Sequence, residues 1–572
     1  MKKKVLPVLV VLALILIISG IALLANLIKK YSPSKERSDY ASHYHINDPS
    51  EILIMQDGED LDFRATNIDG SIYLDYQYVH DCLNSRFYWD SNENLLLYTT
   101  PNSVITVNAD SSEYLSNKDT KDFGKTILST ADEKIWIHID FVKEFTNFTY
   151  DSFENPNRLV VTSKFGEIHT ATAKKSTYVR ELGGIKSPIL SDVKKKDTLT
   201  VLEEGDKWTK VMTADGFIGY IKSSTLSDIT TDTVSSDFEE ESFSHIKKDF
   251  QICLGWDAIY STAANNNIAN TLARSKNLNV ISPTWFYVND NDGNLHDRAS
   301  SSYVSFCHSK GVEVWALVSN FENKDVDTTY ILTHTSVRNN LVNQIVSAAI
   351  QYDLDGINLD FESISSDVGD AYIQFVRELS IKLENNGIVL SIDNYVPSNY
   401  TAFYNRKEQA LFADYIIVMA YDQHYAGSEE SGSVAALDWV QEGVQNTLAE
   451  VPADQLVLAM PFYTRLWCLT PQGDSDDESS DTIYQVTSHA LGMAEADQLI
   501  QQKGAEKTWL SDAGQFYASY EENGNKYEIW LEDSDSLEER LKVMKESKLA
   551  GCAFWRLGFE QSSIWDTVAK YF

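Results

Sequence analysis

The stretch YDLDGINLDFES, from Tyr352 to Ser363, interleaves polar and apolar side chains. Asn358, Asp360 and Glu362 alternate with Ile357, Leu359 and Phe361. On an extended strand, residues two apart share a face, so the amide and the two carboxyls form one polar ladder and the apolar three form the other face. Alternate Cα atoms lie about 6.5 to 7 Å apart, which lets neighbouring carboxyls compete for one proton. Crowding of this kind raises one pKa, so one acid stays protonated near neutral pH and can donate to a leaving oxygen. Glu362, last on the ladder, is expected to be that donor, and Asp360 to stay the more anionic. The plainer alternative is an amphipathic strand that exposes its acids to water, and the surrounding elements decide between the two.

Those elements alternate strand with helix from residue 250 to 572. Strand patterns begin at Phe250 (FQICLGW), Asn279 (NVISPTWFYV), Gly311 (GVEVWALVSN), Asp355 (DGINLDFE), Gly387 (GIVLSIDNYV), Asp414 (DYIIVMAYDQH), Leu456 (LVLAMPFYTRLW) and Ala550 (AGCAFWRLG). Helical stretches such as YIQFVRELSIKLENNG lie between them, that one stopped by Gly387. Eight β/α units predict an α/β fold, a (β/α)8 TIM barrel, in preference to a doubly wound open sheet. In such a barrel the apolar face of the ladder packs under the helices. The polar face climbs the interior to the C-terminal mouth, with Glu362 highest.

The barrel is the last of several parts, as 572 residues would suggest. Lys2, Lys3 and Lys4 precede an uncharged run from Val5 to Ile28, longer than the roughly 20 residues that span a bilayer. No small-x-small site follows, so residues 1–30 read as an uncleaved transmembrane anchor, with the lysine head inside and the bulk of the chain outside a bacterial cell membrane. Residues 31–48 are polar, as a tether would be.

Between 49 and 165 the sequence echoes itself. IYLDYQYVHDCLNSRFYWDSNENLLLYTT from Ile72 and IWIHIDFVKEFTNFTYDSFENPNRLVVTS from Ile135 each read as strand, short helix, and a hairpin with an Asp-Ser turn. The pair predicts a small α+β module. It resembles the stalk-like domain at the N-terminus of copper amine oxidases and of many bacterial wall proteins, and a spacer role is expected. Residues 170–228 turn to short strands, with Asp215-Gly216 as a hairpin signal. Their GDKWTKV and DGFIGYI runs resemble a bacterial SH3-like barrel. In that family such domains often hold cell-wall peptides, and a plain spacer remains the alternative. Residues 229–249 are acidic and aperiodic and read as a linker.

Composition narrows the partners. Hydrophobic residues make up 43% and aromatics 12%, enough for packed cores. The formal charge of −36, from 84 acidic against 48 basic residues, would repel phosphates, so no nucleic-acid partner is expected. Cys82, Cys253, Cys307, Cys468 and Cys552 form no CxxC pair and are odd in number, which points away from a disulfide framework or a zinc site.

DGINLDFE resembles the Asp-Gly-x-Asp-x-Asp-x-Glu signature of family 18 glycoside hydrolases, the chitinase-like enzymes. MAYD at Met419–Asp422, MPFYTRLW, and Trp555 in AFWRLG match that family's sixth, seventh and eighth strands. One position departs: the second acid of the signature is Asn358. An amide can hydrogen-bond Asp360 but cannot carry its charge or proton. The Asn form is familiar in the subgroup resembling spore-cortex-lytic and wall-lytic N-acetylglucosaminidases.

The resemblance implies substrate-assisted retention, an exception to the two-carboxylate scheme. Glu362 would protonate the glycosidic oxygen while the sugar's own 2-acetamido carbonyl attacks the anomeric carbon. Asp360 would hold the acetamido N–H, Tyr421 the acetamido oxygen, Trp555 the floor and Asp422 the neighbouring sugar. Asn358 counts among the substrate-binding set. No metal and no cofactor is implied. Trp285, Tyr395, Gln423 and Tyr463 lie where they could line the groove, and His424 reads as polar lining. The implied substrate is a polysaccharide containing N-acetylglucosamine, peptidoglycan of the cell wall first and chitin oligomers second. A non-catalytic, lectin-like glycan-binding protein is the alternative, although such members usually lack the terminal glutamate.

Overall fold

The computed structural model describes residues 5–131, 134–472 and 484–572. The lysine head Lys2–Lys4 lies outside the described residues. Two compact units emerge, one of residues 1–87, 107–115 and 119–240, the other of residues 88–106, 116–118 and 241–572.

The first unit opens with the helix Val5–Tyr31. It is long and apolar enough to cross a membrane, with a mean hydropathy of 3.2 over its most apolar 18-residue window. The polar segment expected to be a tether is instead docked. Arg37 pairs with Ile189, and the short helix Tyr40–His43 follows. An outer strand with free backbone groups accepts any extended neighbour, which is why this polar run is ordered.

The echo is real in this unit. Ser71–Asp75 and Lys134–His138 are paired antiparallel, and each strand runs into a short helix. The second echo's hairpin, Thr149–Phe153 with Arg158–Thr162, joins the same seven-stranded sheet. A second seven-stranded sheet holds the SH3-like strands, from Gly166–Thr172 to Ile218–Lys222. It gains a strand where a linker was expected, since Thr230–Val234 pairs antiparallel with Gly166–Thr170. The run TTDTV lacks alternation but is mostly β-branched, and that preference carried it into the sheet.

The second unit contains the barrel. Its strands are β1 Ile252–Asp257, β2 Val280–Pro283, β3 Glu313–Ser319, β4 Gly356–Asp360, β5 Val389–Tyr395, β6 Tyr415–Met419, β7 Leu456–Pro461 and β8 Gly551–Trp555. Each pairs in parallel with the next, and Cys253 on β1 pairs with Cys552 on β8, so the sheet closes. Closure excludes the open sheet. Ile357, Leu359 and Phe361 are buried with the helices outside the barrel, and Phe361 stacks on Phe375 at 5.2 Å. Leu254, Trp315, Leu317 and Ile417 fill the inside. The faces of the ladder are therefore as the alternation predicts.

The expected seventh strand divides. β7 ends at Pro461, and Tyr463–Pro471 leaves for a five-stranded antiparallel sheet inserted before β8. The Asn523-Gly524 turn of that sheet takes φ of 53° and 79°, the left-handed pair that a two-residue hairpin requires. Residues 473–483 of the insertion lie outside the described residues. Residues 88–106, the hairpin of the first echo, belong to the barrel's compact unit rather than to the module. Asp90 accepts from Thr335 N at 2.7 Å and Thr335 Oγ1 at 2.6 Å, at the first residue of the helix Thr335–Tyr352.

Candidate active site

β4 ends at Asp360, so Glu362 stands beyond the last ladder pairing and needs another support. Asn320, the residue after β3, supplies it. Glu362 N donates to Asn320 Oδ1 at 2.8 Å, and Asn320 Nδ2 donates to Glu362 O at 3.0 Å. Ser363 then turns away with φ 54°. The SN that closes GVEVWALVSN was the only trace of this clamp in the sequence.

Asn358 lies under the site, not in it. It is 0% exposed and uses its whole hydrogen-bonding capacity. Its Oδ1 accepts from Trp256 Nε1 at 2.7 Å and Ser282 Oγ at 3.0 Å, and its Nδ2 donates to Ser391 Oγ at 3.2 Å and Asp393 Oδ1 at 2.8 Å. The expected bond to Asp360 is therefore absent among the described residues, and the placement of Asn358 among substrate-binding residues is corrected. Its partner is a carboxylate on the next strand that sequence reasoning passed over. Asp393 sits inside SIDNYV, where the period of β5 puts it on the interior face beside Asn358.

Asp360 is buried, and its Oδ1 has no hydrogen-bond partner. Burial, with Glu362, Asp393 and Glu322 nearby, pushes its carboxyl well above the usual range. Asp393 is pushed well up too, by burial against the opposing bond from Asn358. Burial raises Glu362 as well, against the hydrogen bond that Tyr395 Oη donates to it at 2.6 Å, which favours its anion. Two neighbouring acids that both favour protonation in a dry site share their protons as a pair.

These groups face a cavity of about 360 Å³ at the C-terminal mouth of the barrel. Glu322, Asp360, Glu362, Asp393 and Asp422 bring carboxyls to it, and among the described residues Arg298 is the only cationic side chain lining it. Tyr395, Tyr421 and Trp555 line it as well. Trp555 meets Trp256 edge-on at 5.9 Å, which fixes its indole as a wall. Tyr421 meets Tyr463 edge-on at 6.3 Å, and Tyr463 Oη donates to Asp422 Oδ1 at 2.5 Å. Asp422 takes φ 58°, a turn that carries its carboxyl back over the mouth. Four other expectations are corrected. Trp285 is buried on Asn265 Oδ1 at 2.8 Å, Gln423 bonds the backbone of Ala436 at 2.9 Å, His424 Nδ1 is engaged by Ser433 O at 2.8 Å, and Tyr463 supports Asp422. None of the four lines the cavity.

The family model for glycosyl hydrolases family 18 matches residues 258–560, more than half of the chain. The chain belongs to glycoside hydrolase family 18. A bacterial SH3 domain model matches residues 175–227. Among curated proteins, the uncharacterized glycosylase YvbX of Bacillus subtilis (strain 168) is 23% identical over 305 residues, covering 51% of this chain and 84% of the relative. The cortical fragment-lytic enzyme of Bacillus anthracis is 23% identical over 292 residues, covering 49% of this chain and 65% of the relative. The chain thus spans less than two thirds of that second relative. The solved spore cortex-lytic enzyme SleL of Bacillus cereus is similar in fold, with a TM-score of 0.50, 21% identity, and coverage of 56% of this chain and 74% of that one. This family 18 chain is a glycoside hydrolase.

Proposed function

We propose that this family 18 hydrolase cleaves β-1,4-linked N-acetylglucosaminyl glycans, peptidoglycan first and chitin oligomers second, by retaining, substrate-assisted catalysis at an anchored, extracytoplasmic position. The observation that carries this reading is the pairing of Glu362, held at the mouth by Tyr395 and Asn320, with the buried Asp360 whose Oδ1 is unpartnered. An orphaned carboxyl oxygen beside a cavity is a costly feature, and a ligand N–H satisfies it. The excess of acids over Arg298 favours a neutral sugar over an anionic ligand.

The chemistry starts from two neighbouring acids that burial favours in their protonated forms. On binding, the acetamido N–H donates to Asp360, which favours its anion and leaves the pair's proton on Glu362. Glu362 then protonates the leaving oxygen as the acetamido carbonyl closes on the anomeric carbon, breaking the glycosidic bond. Asp360 and Tyr421 hold the resulting oxazolinium ion, and Trp555 supports the ring. Glu362, now a carboxylate, takes a proton from water, which opens the ring with net retention. The helix Val5–Tyr31 supports anchoring by its length and composition.

The test is turnover of purified peptidoglycan and of chitin oligomers by the protein and by its Glu362→Gln variant, with products sized by mass. Release of fragments ending in reducing N-acetylglucosamine, with the variant slower by about 10²- to 10⁴-fold, supports the reading. Binding of glycan by both proteins without release by either would overturn it.

A further inference from the structure

The helix Val5–Tyr31 does not open into free chain. Three residues beyond its end, Ser34 N donates to Ile185 O at 2.7 Å. From there the chain lies along the outer strand Ile189–Val193 of the SH3-like sheet. Ile189 N donates to Glu36 O at 2.8 Å, and Ser38 N donates to Ile189 O at 2.9 Å. Side chains fasten this strap. Arg180 Nη2 donates to Ser34 O at 2.9 Å, Tyr40 Oη donates to Leu190 O at 2.5 Å, and the Tyr40 ring stacks on Phe217 at 5.3 Å. Lys186 Nζ reaches the carbonyl oxygens of Lys29 and Ser32. The loop Glu181–Pro188, ELGGIKSP, is therefore held at the exit of the helix, since three residues of chain span at most about 10 Å.

The loop's surface is unusual for one facing water. Leu182 is 68% exposed. At the end of the helix, Tyr31 is 65% exposed and follows Lys29 and Lys30 in the chain, the aromatic and lysine mixture of a headgroup belt. Two nearby acids are occupied: Glu181 Oε1 accepts from Ser38 Oγ at 2.5 Å, and Asp192 pairs with Arg37 at 2.6 Å. The strap's own acids, Glu36 and Asp39, are matched in number by Lys35 and Arg37 in the same stretch of chain.

We propose that the loop Glu181–Pro188 is a membrane-contact surface, in which Leu182 enters the headgroup layer beside the anchor and Lys186, with Lys29 and Lys30, faces lipid phosphates. The proposal rests on the reading of Val5–Tyr31 as a retained anchor. A lipid surface is favoured over a protein partner because the chain itself sets the distance: Ile185 is bonded to a residue three places beyond the helix. The strap also covers the outer strand of the SH3-like sheet, so an extended wall peptide cannot add there. On this view the domain clamps the anchor to the rest of its unit.

The experiment uses the full chain in anionic liposomes, with the partly exposed Cys82 and Cys468 replaced by Ser. An environment-sensitive fluorophore is placed at Leu182→Cys and, separately, at Lys195→Cys, at the far end of the Ile189–Val193 strand. Both positions are exposed, so neither change threatens the core. The expected result is a blue-shifted emission at position 182, lost on adding headgroup-labelled nitroxide lipid, and neither effect at position 195. A label at 182 that remains as aqueous as that at 195, in protein that resists alkaline carbonate extraction, would overturn the proposal while the anchor stands. Release of the chain by carbonate would remove the anchor reading and the proposal together.

Discussion

Asn358 Nδ2 donates to Asp393 Oδ1 across 2.8 Å, joining an amide on β4 to a buried carboxyl on β5. Where family 18 carries its second signature acid, this chain carries the amide, and an acid stands on the adjoining strand. Asn358→Asp alone would set two acids against each other in a dry interior and leave one of them without a donor. We expect it to lower stability by about 1–3 kcal/mol. Combining it with Asp393→Asn restores one amide and one acid, and should recover much of that loss. Denaturant unfolding of the two single variants and the double gives the coupling directly.

The same carboxyl sets the pH range. Asp393 is one of the groups that raise Asp360, so Asp393→Asn should let the pKa of the coupled pair fall. Activity that needs a protonated acid is lost as pH rises through that pKa, and the alkaline limb should move to lower pH. Tyr395→Phe acts in the opposite sense. The Tyr395 hydroxyl favours the Glu362 anion, so its removal should raise the pKa and carry the alkaline limb upward. Profiles of kcat/KM against pH for the two variants must therefore shift in opposite directions, and a common direction would sink the assignment.

Asn320 positions Glu362 without reaching the cavity itself. Asn320→Ala removes both of its bonds to the Glu362 backbone and frees the carboxyl to wander by an ångström or so. A kcat lower by about 10- to 100-fold is expected, with KM little changed. If KM rose while kcat held, Asn320 would instead be shaping the binding of glycan.

The ladder and the barrel were legible because period-2 alternation and eight strand–helix repeats are properties of local sequence. Ile357, Leu359 and Phe361 could face only the helices once the strand sat in a closed sheet. What could not be read was anything that passes between strands. Asp393 belongs to a different strand from Asn358, and only the parallel register of β4 and β5 sets them side by side. The surroundings of the two acids could not be read for a related reason. Spacing alone makes Asp360 and Glu362 alike, whereas the fold leaves Asp360 Oδ1 unpartnered and gives Glu362 the Tyr395 hydroxyl. Trp285 looked like groove lining because it follows a strand, but the turn after Pro283 aims it at Asn265 instead.

Residues 88–106 show how far a repeat can mislead. Both copies of the echo contain a hairpin of the same design, and sequence assigns the two alike. Only the second joins its own module's large sheet. The first contributes Asp90 and Glu93 to the barrel. Glu93 Oε1 accepts from Ser336 N at 2.8 Å, next to the Asp90 bonds to Thr335. The helix Thr335–Tyr352 has no side-chain cap of its own, so these borrowed carboxylates satisfy its first amides and sit at the positive end of its dipole. Asp90→Ala should lower stability by about 1–3 kcal/mol, because Asp90 is buried and its loss strands the Thr335 amide. A fragment beginning at residue 241 loses both carboxylates and should unfold at lower temperature than one beginning at residue 50. Thermal unfolding of the two fragments and of the Asp90→Ala chain, followed by circular dichroism, tests this. Equal midpoints would mean that the barrel caps this helix without help.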